Sequence, residues 1–276
     1  MNMMIDTHAH LSGLARRGID THQTLKDIFA EGFAGIIDIS LEPGDLSERI
    51  KEFSGYSKVC FSSGLWPWPA SIANRKTLIP ELEKDLLFYL GSNTAAPEGT
   101  PKPLICALGE FGLDHNWNGE GKEGTSDLPG ERELMEMQMD MAQRLNLPVI
   151  IHSRDAAKET AEIVKSYPNA CGVIHCFSYS PEEAKAFLDM GYYISFAGNI
   201  TYKNANAIQE ACRFVPNDRL ILETDCPYLA PVPHRGKPAH PGMVEEVYKK
   251  AAELRCMDIE TMSEQISENV KQLFGF

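Results

Sequence analysis

No apolar run in this chain reaches the roughly 18 consecutive residues that a membrane-spanning helix needs, so no membrane partner is expected. The opening residues, MNMMID, lack both a basic stretch and an apolar core, and a secretory leader is not expected either. No CxxC pair is present. The seven cysteines (60, 106, 171, 176, 212, 226, 256) are odd in number and scattered, and several lie inside apolar runs where a free thiol acts as a small buried hydrophobe. That usage predicts a reduced, cytoplasmic protein. Basic residues are also scarce: 26 Lys and Arg face 39 Asp and Glu, a formal charge of −13. The chain therefore has no long-range attraction for nucleic acid. A nucleic-acid substrate is still admissible, because bound cations reverse the field at a local site. Internal repeats, low-complexity tracts and linkers are absent as well, and nothing points to an obligate protein partner. The 276 residues read as one domain spanning 1–276, a length that suits a single α/β barrel of about 250 residues.

What the chain does have is a recurring short, β-rich apolar run. Eight occur: MMIDTHAH (3–10), AGIIDIS (34–40), KVCFSSGL (58–65), PLICALGEFG (103–112), PVIIHSR (148–154), CGVIHCFS (171–178), YYISFAG (192–198) and RLILETD (219–225). Amphipathic segments separate most of them, such as 130–146 and 180–191. The latter opens on Ser180, Pro181 and two glutamates and closes at Gly191, good start and stop signals for a helix. Near-continuous apolar strands alternating with helices predict a parallel sheet covered on both faces, and eight such units predict an α/β fold of the (β/α)8 TIM-barrel type. Two polar stretches, 91–103 and 118–130, read as loops. The first precedes a strand and belongs at the stability face. The second follows the fourth strand and belongs at the catalytic face, as a mobile edge or a tolerated insertion.

Within these strands stand polar residues that packing does not explain. Alternation puts Asp6, His8 and His10 on one face of the first strand, presenting two imidazoles side by side as a metal requires. Glu110 ends the fourth strand with Asp114 just beyond, His152 and Arg154 end the fifth, His175 lies in the sixth, and Glu223 and Asp225 in the eighth. All fall at strand C-terminal ends, the rim where barrel active sites assemble. Six isolated buried polar groups at one rim would be costly without a cation. His8, His10, Glu110, His152, His175 and Asp225 exceed the needs of one zinc with an open position, which favours two divalent metals, Zn²⁺, Mn²⁺ or, less comfortably, Mg²⁺. Asp6 and Glu223 lie a layer below and suit a supporting role. Arg154, Arg235 and Lys237 are candidate phosphate grips.

The motifs DTHAHL (6–11), GEFGLD (109–114), HSRDA (152–156), HCFS (175–178), LETDCPYLAP (222–231), RGK (235–237) and SENVKQLF (267–274), taken in order, resemble the TatD-type metal-dependent deoxyribonucleases of the amidohydrolase superfamily. The resemblance implies a TIM barrel with a two-metal site that cleaves DNA, single-stranded DNA here, with Mg²⁺ or Mn²⁺. It also implies that His8 and His10 bind one metal, His152 and His175 the other, that Glu110 bridges them, and that Asp225 completes the first site and deprotonates the attacking water. The chain departs from the family at Tyr179, commonly glycine, at His115, commonly tyrosine, and over 238–241, commonly Arg-Asn-Glu-Pro. All three departures bear on substrate preference. Two other readings compete: an amidohydrolase-like enzyme cleaving an amide, ester or lactone with the same metals, and a non-catalytic, metal-stabilised binding module. Open coordination positions at a barrel mouth oppose the second.

Overall fold

The computed structural model describes residues 3–92 and 105–275. Among these residues eight strands form: β1 (Ile5–Ala9), β2 (Gly35–Asp38), β3 (Val59–Ser63), β4 (Ile105–Asp114), β5 (Val149–Arg154), β6 (Gly172–Ile174), β7 (Tyr193–Phe196) and β8 (Leu220–Leu222). They follow one another in a single sheet in the order β1 to β8, and β1–β2, β3–β4, β4–β5 and β7–β8 run parallel. Sequential parallel strands with helices between them make the fold a (β/α)8 barrel, as expected. No helix among the described residues is long and apolar enough to cross a membrane.

Contacts divide the chain into two compact units, Met1–Asp38 with Ile174–Phe276, and Ile39–Val173. In the first, the chain beyond β8 runs beside β1: Ala9 pairs with Cys226 in a parallel bridge, and the Asp225 N–H donates to the His8 carbonyl at 2.9 Å. The Tyr248 hydroxyl takes the Ile5 N–H at 3.2 Å and donates to the Ile5 carbonyl at 3.1 Å, tying a helix to β1 inside the core. In the second unit, the helix Leu128–Leu145 starts where the Asp127 carboxylate accepts the Gly130 N–H and ends at Asn146 in the left-handed region. Gly112 in β4 has φ of +156°, and a Cβ there would strike the His152 carbonyl, so only glycine lets β4 and β5 approach this closely.

The elements differ from the sequence expectation in extent. β4 runs two residues further than expected, to Asp114, because Phe111 and Leu113 continue its buried face. β6 and β8 stop early, so His175, Glu223 and Asp225 sit just beyond their strands. The helix expected over 180–191 spans Pro181–Leu188, with Ser180 and Glu183 forming a reciprocal capping box. The expected loop 118–130 shortens at its far end, since its helix begins at Leu128. Of the stretch 91–103, Gly91 and Ser92 end the helix Arg75–Ser92 and the rest lies outside the described residues.

Candidate metal centre

Strict alternation fails at two of the proposed ligands. Between Asp6 and Ala9 the β1 register advances three residues while β2 advances two, from Ile36 to Asp38. Between Gly109 and Phe111 β4 advances two while β5 advances one, from Ile150 to Ile151. Each mismatch is a bulge, which re-aims a side chain out of the regular pleat. His8 lies in the first and Glu110 in the second, after a cis Gly109–Glu110 peptide. The single-face expectation for Asp6, His8 and His10 is thereby modified, because the bulge lies between Asp6 and His10.

In the first unit the rings of His8 and His175 stack at 4.0 Å and 9°, and His8 meets His10 edge-on at 5.0 Å. Asp225 Oδ1 stands 3.6 Å from His10 Nε2 and 3.8 Å from His8 Nε2. One donor atom each from His8, His175 and Asp225 fall within 4.8 Å of one another. Asp225 has φ of +59°, a left-handed conformation that aspartate tolerates and that turns the chain out of β8. Two imidazoles and a carboxylate are a donor set that fits a divalent cation of the borderline class.

Beneath these donors are two buried carboxylates. Glu223 Oε1 accepts the Cys176 N–H at 2.8 Å and faces His175 Nδ1 at 3.2 Å, while Oε2 accepts from the Ser195 hydroxyl at 2.6 Å. A carboxylate can only accept, so His175 carries its proton on Nδ1 and offers Nε2 as a lone pair. Asp6 accepts from the Thr224 N–H at 2.9 Å, the Thr224 hydroxyl at 2.6 Å and the His8 N–H at 3.2 Å. It thus fixes the residue before Asp225. Burial pushes the Asp6 carboxyl up from 3.8 to about 7, against the Thr224 and His8 hydrogen bonds that favour its charged form.

The folded state therefore holds this proton more tightly than the unfolded chain. Stability of the metal-free protein should fall as pH rises from about 4 to about 7, by at most on the order of 4 kcal/mol. Urea unfolding of chelated protein at several pH values tests this. The Asp6→Asn protein should lack that part of the slope, and an identical pH dependence in both would refute it.

In the second unit the His152 ring lies between two carboxylates, with Nδ1 2.9 Å from Glu110 Oε1 and Nε2 3.0 Å from Asp114 Oδ2. Asp114 thus supplies the carboxylate that a metal-bound histidine uses on its other nitrogen. Burial works to raise the Asp114 carboxyl, but the hydrogen bond and charge of His152 hold it below its usual value. Buried Glu131 supports this end of β4: its Oε1 accepts the Asp114 N–H at 2.7 Å and the Asn118 amide at 2.9 Å. Glu131 and Asn118 went unnoticed in the sequence, where a glutamate in a first helical turn carries no distinguishing signal.

The proposed phosphate grips are exposed. Arg154 ends β5, and Arg235 and Lys237 lie on a turn where the Arg235 guanidinium stands 4.2 Å over the Tyr202 ring. Among the departures from the family pattern, His115 Nε2 faces Glu131 and Glu159 at 3.7 Å each. Tyr179 packs edge-on against Phe177, and Ala239 is buried with its N–H donated to the Pro227 carbonyl.

The family profile described as TatD related DNase matches residues 5–275. The chain belongs to that family. It is 32% identical to the uncharacterized metal-dependent hydrolase YabD of Bacillus subtilis (strain 168) over 274 residues, 99% of each chain. It is 35% identical to the uncharacterized metal-dependent hydrolase YcfH of Escherichia coli (strain K12) over 279 residues, 98% of this chain and 95% of the other. In structure it is similar to the TatD homolog YJJV of Escherichia coli K12, with a TM-score of 0.83 and 26% identity over 100% of this chain and 99% of that one. This TatD-family member is a metal-dependent hydrolase, and its histidine and carboxylate clusters are able to hold metal ions.

Proposed function

We propose that this chain hydrolyses phosphodiester bonds of DNA, single-stranded DNA in particular, using two divalent metal ions, with residues 1–276 working as one catalytic domain. The observation that carries the proposal is the cluster of His8, His175 and Asp225, whose donor atoms share a space of 4.8 Å. The description of the family as DNase supports the choice of substrate. In this reading His8, His10 and Asp225 would hold one ion and His152 and His175 the other, with Glu110 available to both. Bound ions would polarise the phosphoryl oxygen and bring the acidity of water toward neutrality. Asp225, whose side chain keeps 15% of its surface exposed, accepts the proton of the attacking water. Glu223 keeps the His175 proton on Nδ1, and Asp114 orients His152. Arg154 and Arg235 grip phosphate oxygens by their forked donors and Lys237 by its point charge.

The test is metal analysis of the purified protein, followed by chelation and return of Mg²⁺, Mn²⁺ or Zn²⁺. Hydrolysis of single-stranded DNA, duplex DNA, RNA and an acyl ester is measured in parallel. Cleavage of single-stranded DNA should vanish on chelation and return with metal. Hydrolysis of the acyl ester with no cleavage of any nucleic acid would overturn the proposal.

A further inference from the structure

All three tryptophans of the chain, Trp66, Trp68 and Trp117, meet in one patch of the second unit. Trp66 and Trp68 follow β3 with Pro67 between them, their rings 4.3 Å apart and tilted by 50°. Trp68 meets Trp117 at 5.9 Å with the rings perpendicular. Trp66 in turn meets the ring of His152 edge-on at 5.4 Å. A packing role would bury these indoles, the largest side chains available. Instead Trp68 keeps 39% of its surface exposed, and Trp66 and Trp117 are half-buried.

The patch is held in fixed relation to His152 by buried polar groups. The Asn118 amide donates to the Pro67 carbonyl at 2.8 Å and to Glu131 at 2.9 Å. Glu131 accepts the Asp114 N–H at 2.7 Å, and the Asp114 carboxylate faces His152 Nε2 at 3.0 Å. The tryptophan segment and the proposed ligand therefore hang on one frame, and Arg154 stands exposed at the end of the strand that carries His152.

We propose that Trp66, Trp68 and Trp117 form a seat on which an unpaired nucleobase stacks beside the phosphodiester to be cut. The proposal rests on the nuclease reading and deepens it by naming the substrate feature recognised, an exposed base face. Every base has such a face, so stacking on indole holds a strand without reading its sequence. In an intact duplex those faces are covered by neighbouring base pairs, so single strands are favoured.

The experiment compares a short oligodeoxythymidylate with an abasic deoxyribose phosphate strand of equal length. Because the chain has no other tryptophan, indole emission reports this patch alone. The metal-loaded Asp225→Asn protein should be quenched by the base-bearing strand and not by the abasic one. With the wild-type sequence, KM for the abasic strand should exceed that for the base-bearing strand about tenfold. In Trp68→Ala that ratio should fall toward one, and in Trp68→Tyr it should be largely restored. Cleavage of both strands with equal KM and no quenching overturns the seat and leaves the nuclease reading standing. Base-dependent quenching without cleavage of either strand supports the seat and overturns the nuclease reading. Neither quenching nor cleavage overturns both.

Discussion

Asp225→Asn should lower kcat for hydrolysis about a thousandfold, within the 10² to 10⁴ range of general-base removal, while the protein folds normally. The substitution keeps the backbone in place. Asparagine accepts the left-handed φ of +59° as readily as aspartate does, and the N–H bond to the His8 carbonyl at 2.9 Å does not involve the side chain. What disappears is the anionic oxygen that stands 3.6 Å and 3.8 Å from the ring nitrogens of His10 and His8. An amide oxygen is a far weaker base than a carboxylate and brings no charge to a cation. The measurement is steady-state hydrolysis of single-stranded DNA at saturating metal, with bound metal counted by elemental analysis and folding checked by a cooperative melt. Near-normal turnover under those conditions would show that Asp225 is not the base.

Glu223→Gln should weaken metal binding by about 10- to 100-fold, and turnover at limiting metal should drop with it. Glutamine has the same shape and can still accept the Cys176 N–H, so the fold around it is preserved. Its oxygen still accepts from His175 Nδ1 at that position, so the tautomer is kept, but the oxygen is no longer negative and the imidazole loses basicity at Nε2. The Ser195 hydroxyl, which now donates to Oε2 at 2.6 Å, would meet an amide N–H and have to turn round. Titration of chelated protein with Mn²⁺ or Zn²⁺, followed calorimetrically, gives the affinity. High metal should restore most of the turnover, which separates a role through His175 from a direct part in the reaction. An unchanged affinity would assign Glu223 to packing alone.

Much of this was legible along the chain. Strand existence follows from β-branched apolar runs such as GVI in β6 and LIL in β8, and the first candidate ligands stand out as His8 in β1 and His10 just beyond it, polar residues that packing cannot justify. Strand ends are less legible. β4 continues to Asp114 because burial extends further than the apolar run, while regular β8 pairing ends at Leu222, where Asp6 takes the Thr224 N–H and hydroxyl. Neither effect has a local signature. The same holds for Asn118, whose amide bridges Pro67 and Glu131 across separations of 51 and 13 residues.

The sequence by itself determined the class of fold and the kinds of donor atom, since hydrophobic periodicity and residue chemistry are local properties written into each segment. Only the tertiary structure decided aim and support: the bulges at His8 and Glu110, the carboxylates behind His175 and His152, and the gathering of three tryptophans beside His152. Those depend on which backbone groups pair across the sheet and on which buried polar atoms find partners far away in the chain. Such pairings are settled only when the whole core closes and every desolvated N–H must be satisfied.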